Sequence, residues 1–351
     1  MKRSQHAPTH RLVVLVATVV AAFGGGCLDD LPSPTLVDDL RVLAVRAEPP
    51  EVGPGTTVAL DALVVDPAGR EITYAWYACL IADRGQGFFG GGGQTNTSGG
   101  NGTPLDNDDD GSSCKLKYER GRDYAVSLGN APTASYLVPE GLLDDDEALA
   151  VAFGFPADLE IPALIRAGFL GIAGLNMTVQ LVVSVDGRTI ETTKAINVSL
   201  ESPLPDNARN TNPDEVVLAL TLKESDADAV PTTGTPHREG ACFTAPVTDL
   251  TADTAYRLSP LNFPTDPIPY VVLLAGSTTD EPFAIQNTEE SWFYSFFSTS
   301  GKLSKTISKQ PGQPENTWTF AADEKGDGDF WMVVRDGRGG VNWCHERVTI
   351  P

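Results

Sequence analysis

Apolar and polar residues alternate with a period of two along much of this chain, in short runs broken by Gly, Pro and Asp. Arg41 to Arg46 (RVLAVR) alternates, Thr57 to Val65 (TVALDALVV) is rich in β-branched residues, and Ile72 to Cys79 alternates around Trp76. Such runs predict strands, because successive side chains on a strand point to opposite faces. Glu48-Pro49-Pro50, Gly53-Pro54-Gly55 and Asp66-Pro67-Ala68-Gly69 punctuate them as turns. Met177 to Val185 and Thr189 to Val198 flank Asp186-Gly187, a strong hairpin signal. Farther on, strands are predicted from Val216 and over Ala255–Leu258, Tyr270–Leu274, Trp292–Phe297, Thr317–Phe320, Phe330–Arg335 and Val341–Ile350. Asp336-Gly337-Arg338-Gly339-Gly340 turns the last two into a hairpin, and nothing in this second half has a helical period.

Three stretches depart from the pattern. Leu12 to Phe23 is uniformly apolar, preceded by Lys2, Arg3 and Arg11 and followed by Gly24-Gly25-Gly26-Cys27. A basic start, a short apolar run and small residues make a secretory signal peptide over 1–26. The run is too short for a membrane span, which takes about 20 residues. Cys27 stands where a bacterial lipobox places its lipidated cysteine, with Gly24 in the position usually held by Leu, so this segment resembles a lipoprotein signal. Residues 85–113 are rich in Gly, Ser, Thr, Asn and Asp with almost nothing to bury, which predicts a flexible loop. Residues 162–177 (PALIRAGFLGIAGLNM) are apolar enough for a short helix packed on a sheet edge.

These boundaries predict an all-β chain of two sandwiches. After the signal peptide come an acidic, Pro-containing tether over 27–39 and a first sandwich over 40–201, which holds the loop at 85–113 and the apolar insertion at 162–177. A linker over 202–214 and a second sandwich over 215–351 follow. The halves share an order, with aromatic middle strands around Trp76 and Trp292 and closing hairpins at Asp186-Gly187 and Asp336-Gly337. This resembles tandem immunoglobulin-like or polycystic-kidney-disease (PKD) type domains. Leu40 to Val52 and Val334 to Val341 also resemble surface lipoproteins of myxobacteria and their relatives. That resemblance implies a cell-envelope lipoprotein and brings no catalytic residues with it.

Composition narrows the chemistry. With 25 Lys+Arg against 47 Asp+Glu the formal charge is −22, a surface that repels phosphate backbones, so no nucleic-acid partner is expected. Export implies an oxidising compartment, in which the four cysteines beyond Cys27 should pair. Three connectivities exist, and the spacing favours Cys79–Cys114 and Cys242–Cys344. Only His237 and His345 remain beyond the signal peptide, which starves His-based mechanisms, and no GxSxG, HExxH or Walker motif occurs. No cofactor and no enzymatic activity are expected, although carboxylates are abundant enough to keep a hydrolase as the remote alternative.

Asp106, Asp108 and Asp110 with Gly111 match the first half of a calcium loop, but Lys117 stands where the bidentate acid belongs. A solvated acidic run is the preferred reading over a weak Ca²⁺ site. Asp323, Asp327 and Asp329 read as turn chemistry before a strand, and Arg335 and Arg338 as a hairpin edge with a local ion pair to Asp336. On the strand from Trp292, Phe293 and Phe297 would face away from the core. They suit either contact with the neighbouring domain or glycan stacking. The sequence therefore predicts a non-enzymatic protein, lipid-anchored through Cys27 at the outer membrane or cell surface. Its expected role is structural, or the binding of an envelope protein or glycan, calcium-assisted in one variant of the reading.

Overall fold

The computed structural model describes residues 33–79, 126–146, 149, 163–202, 208–215, 217–223, 240–244, 247, 250–261, 268–275, 283–310 and 314–351. The described fold is all-β. β1 (Arg41–Glu48), β3 (Thr57–Val65) and β6 (Ala134–Leu137) form an antiparallel sheet in the order β1-β3-β6. A second sheet runs β2-β8-β7-β4-β5, from β2 (Glu51–Val52), β8 (Arg188–Val198), β7 (Leu175–Val185), β4 (Thr73–Cys79) and β5 (Val126–Gly129). The two sheets enclose one core, in which alternate residues of β7 from Leu175 to Val185 meet Val58, Leu60 and the fully buried Trp76. The Trp76 indole N–H is satisfied by Ala131 O at 3.0 Å. The chain crosses from β1 to β2 through a cis Glu48–Pro49 bond, and β2 pairs in parallel with β8. A sheet of β1, β3 and β6 facing one in which β8, β7 and β4 are neighbours, with a buried Trp on β4, makes this an immunoglobulin-like sandwich.

The second half repeats that plan. One sheet runs β14-β16-β10-β9, from β14 (Lys302–Leu303), β16 (Asn316–Thr319), β10 (Ala255–Pro260) and β9 (Leu218–Leu222). The other runs β15-β13-β17-β18, from β15 (Ile307–Gln310), β13 (Trp292–Ser298), β17 (Gly326–Arg335) and β18 (Val341–Ile350). Their shared core is aromatic, with the Trp318 ring 4.7 Å from Phe320 and 4.9 Å from Phe330, centroid to centroid. Trp292, Tyr294 and Phe296 point into it. Cys242 and Cys344 form a disulfide across 102 residues of sequence, tying the segment beside β9 to β18. β11 (Pro269–Ala275) and β12 (Phe283–Glu289) make a separate two-stranded ribbon.

Local chemistry explains most boundaries. Asp186 and Gly187 both take positive φ, 51° and 80°, as a two-residue hairpin turn requires. The apolar insertion forms α1 (Ala163–Ile172), whose Leu170 is buried in the first core, but it stops short of Met177 because Gly174 turns the chain at φ 64°. A Cβ at Gly174 would fall 1.7 Å from Asn197 Oδ1, so only glycine fits, and Leu175–Met177 already belong to β7. Asp327 and Asp329 also lie on a strand, since β17 starts at Gly326. Only Asp323 sits in the preceding turn.

A third apolar cluster joins the two sandwiches. Leu43 and Ala44 of β1 meet Trp331 and Val333 of β17 and Val341 of β18, with Phe297 and Trp343 packed alongside. The register of β1 shifts between Val42 and Ala44, a bulge that turns Leu43 and Ala44 outward while Val45 and Ala47 still face the first core. Residues 34–39, the end of the segment read as a tether, take part as well. Val37 donates its N–H to Ser298 O at 2.8 Å, and Ser298 N–H reaches Thr35 O at 3.0 Å.

Candidate functional site

The polar residues at this junction are more unusual than the apolar ones. β17 ends at Arg335, and the turn to β18 is closed by Asp336, whose Oδ1 accepts from Arg338 N at 2.7 Å and Gly340 N at 2.9 Å. Its Oδ2 accepts from Asn210 Nδ2 at 2.8 Å. Gly340 cannot carry a side chain here, because a Cβ would lie 2.1 Å from that carboxylate and 2.8 Å from Thr211 O. Lys194 of β8 reaches across from the first sandwich and donates to Gly339 O. Arg335 donates to Ser295 Oγ at 3.0 Å and to Leu43 O at 3.1 Å, again spanning both sandwiches.

Lys194, Arg335, Asp336 and Asn210 are all buried. Burial pulls the Lys194 ammonium down to about 8, against the opposing attraction of Asp336 and with the help of Arg335. Burial alone brings Arg335 down to about 10. Arg338 is the outer clamp. It pairs with Glu290 at 3.1 Å and Glu51 at 3.5 Å, donates to Ala208 O at 3.0 Å and lies 4.7 Å from the centroid of the Tyr270 ring on β11. Glu290 is held above the usual carboxylate range, chiefly by burial and then by Asp336, with Arg338 opposing. Arg335 and Arg338 therefore do more than edge a hairpin; they bind the two sandwiches to each other.

The segment read as a linker is threaded through the same network. Asn212 donates to Ala47 O at 2.7 Å and Glu48 Oε2 at 2.6 Å, and accepts from Val341 N at 2.7 Å. Asn210 N–H is bound by Glu51 Oε2 at 2.8 Å, and Pro213 O accepts from Asn342 Nδ2 at 2.9 Å.

On one flank of the junction lies a half-open cleft of about 430 Å³, lined by Arg46, Glu215, Gly240, Asn342, Trp343 and His345. Arg46 lies 4.5 Å above the Trp343 ring and is held by Asp61 at 3.1 Å and Asn342 Oδ1 at 2.9 Å. Asn342 Oδ1 also accepts from Trp343 N at 2.9 Å. His345 stacks on Trp331, with centroids 5.2 Å apart and planes 9° apart, and its Nε2 lies 2.8 Å from Asp329 Oδ1.

Most residues singled out in the sequence fall elsewhere. Cys27, Cys114, Asp106, Asp108, Asp110 and His237 lie outside the described residues. Cys79 is disulfide-bonded. Among the described residues no group of three or more His, Cys, Asp or Glu side chains could hold a metal. Asp327 pairs with Arg347 at 3.3 Å and Thr349 Oγ1 at 2.9 Å. Phe297 packs at the junction, and Phe293 lies under Lys309, whose Nζ is 5.2 Å from the ring centroid. Sequence reading passed over Lys194, Asn210 and Asn212. Lys194 did leave one signal, a cation at a core-facing parity position between Thr192 and Ile196.

No protein-family model matches the chain, and no curated protein matches it. Among solved structures it is similar to the D0-D1 domain of Intimin, at 10% identity and a TM-score of 0.18, over 88% of this chain and 98% of that one. It is similar to the Yersinia pseudotuberculosis adhesin InvE at 10% identity and 0.18, over 88% and 60%. The three N-terminal domains of the bacteriophage RB49 outer capsid protein Hoc align at 9% identity and 0.18, over 89% and 59%, so this chain spans about three fifths of InvE and Hoc. At these scores none of them carries a function over to this chain.

Proposed function

We propose that the chain is a non-enzymatic envelope protein, tethered to a bacterial membrane through a lipid on Cys27 and presenting a stiff two-sandwich body as a binding or structural module. The observation that carries this reading is the buried polar junction. Domain pairs on a free linker move by default. Here residues 208–213 are bonded to both sandwiches, and Lys194 and Arg335 each cross between them. Rigid spacing is what a module needs to hold a surface away from a membrane. The Cys242–Cys344 disulfide supports export, since such bonds persist in oxidising compartments. Among the described residues no helix is long and apolar enough to cross a membrane, and anchoring is assigned to the lipid instead.

The test is the intact mass of the membrane-extracted protein beside a Cys27→Ala variant. A mass that begins at Cys27 and includes acyl chains, lost together with membrane association in the variant, supports the reading. A lipid-free mass cut elsewhere overturns the anchor. Scattering from the purified chain that requires a broad spread of inter-sandwich angles overturns the stiff body.

A further inference from the structure

We propose that the cleft beside the junction is a binding site for a neutral glycan, contacted by Arg46, Glu215, Asn342, Trp343 and His345. The proposal rests on the reading of the chain as a binding module and names what it would bind. Size comes first: about 430 Å³ falls within the range of roughly 300–1,000 Å³ usual for small-molecule sites, room for one or two sugar rings.

The lining decides the ligand class. A guanidinium, a carboxylate, a carboxamide and an imidazole border one indole. Donors and acceptors are thus mixed around an aromatic edge. Sugar hydroxyls both donate and accept, while the C–H face of the ring packs on flat groups such as indole and guanidinium. An apolar ligand would strip water from these polar groups without replacing its hydrogen bonds, at a desolvation penalty. An anion is disfavoured because Asp61 already neutralises Arg46, and the chain as a whole carries −22.

The walls are also pre-set. Arg46 is fixed by Asp61, Asn342 and the Trp343 ring, Asn342 by Pro213 O, and His345 by Trp331 and Asp329. Side chains held from behind in this way lose little freedom when a ligand arrives. Arg46 comes from the first sandwich and Asn342, Trp343 and His345 from the second, so the buried network that locks the sandwiches also fixes the width of the cleft.

The experiment is calorimetric titration of the purified full chain with tri- to hexasaccharides of glucose, mannose, galactose and N-acetylglucosamine, beside an oligogalacturonate. The variants are Glu215→Ala and His345→Ala, both at exposed positions outside the apolar clusters, with circular dichroism and melting temperature confirming an intact fold. At least one neutral series should bind, weakened about tenfold or more in each variant, as expected when a hydrogen bond to a charged or ring group is lost. Absence of binding by every neutral series, equal binding in both variants, or preference for the uronate overturns the site. If the Cys27 mass result holds while no sugar binds, the cleft assignment alone falls.

Discussion

Asn210 donates from Nδ2 to Oδ2 of Asp336 at 2.8 Å across 126 residues of sequence, with both side chains buried. One carboxylate thereby serves three ends. It closes the β17–β18 turn through two backbone amides, fixes the segment between the sandwiches through Asn210, and attracts the charge of Lys194. Asp336→Ala should leave the Asn210 amide and two backbone N–H groups without their acceptor, and remove a negative charge that attracts the buried Lys194. Leaving buried donors unsatisfied in this way costs roughly 1–3 kcal/mol for each group. Urea unfolding should show a loss of that order, and a change below about 1 kcal/mol would mean that water satisfies these groups instead.

Lys194 gives a pH signature of definite sign. Its folded value of about 8 lies below the ordinary 10.5, so the folded state sheds its proton first as pH rises. Below pH 8 both states hold the proton and the penalty for burying the charge is fully present. Between pH 8 and 10.5 the unfolded chain binds more protons, and stability rises with pH. Relative to Lys194→Met, which has no titrating group at this position, the wild type should gain stability from pH 7.5 to 10. The gain is bounded at on the order of 3 kcal/mol by the size of the shift. Arg335, lowered to about 10, acts in the same direction only near the top of that window. A wild-type advantage that stays flat or shrinks over this range would show that Lys194 is not charged and desolvated at neutral pH.

How much of this was legible depended on whether the determining contacts were local. Trp76 and the Asp186-Gly187 hairpin are set by period two and by turn chemistry, and both stand where the sequence puts them. Most of the strands missed were short ones. β5, β6 and β15 have four residues each, and β2 and β14 have two, too few to show a period. β12 (FAIQNTE) turns polar after Ile285 and lacks an apolar alternation to detect. The junction was illegible for another reason. Arg335 and Arg338 sit in a Gly-rich turn that reads as solvent-facing. Only the fold, which brings Leu43 and Glu51 from 292 and 287 residues away, shows them to be inside.

Arg338 should control the β11–β12 ribbon. Its guanidinium pairs with Glu290, just beyond the end of β12, and lies against Tyr270 on β11, while also reaching Glu51 of the first sandwich. Arg338→Ala should speed amide exchange in β11 and β12 by about tenfold or more, while the β7–β8 hairpin stays unchanged, because local opening follows local contacts. Arg338→Lys should rescue little, since an ammonium cannot fork between two carboxylates and lie flat on a ring. Equal exchange in wild type and Arg338→Ala would mean that the ribbon is held by something other than this clamp.

The Cys242–Cys344 bond should act on the second sandwich alone. It closes a loop with a sequence separation of 102, for which the chain-entropy model gives about 4–5 kcal/mol of stabilisation. Cys242 also holds the edge strand, because its carbonyl accepts from Leu218 N at 2.8 Å, and Phe243 beside it bridges to the same residue. Reductant is the wrong probe, since Cys79 is disulfide-bonded too. The double variant Cys242→Ala, Cys344→Ala removes one bond without touching the other, and places alanine rather than a polar serine at two buried positions. Denaturant unfolding should show a loss near 4 kcal/mol in the second sandwich. Exchange should rise first at β9, while amides around Trp76 keep their wild-type protection. If protection around Trp76 fell equally, the two sandwiches would unfold as one cooperative unit, and the junction rather than the disulfide would set the stability of both.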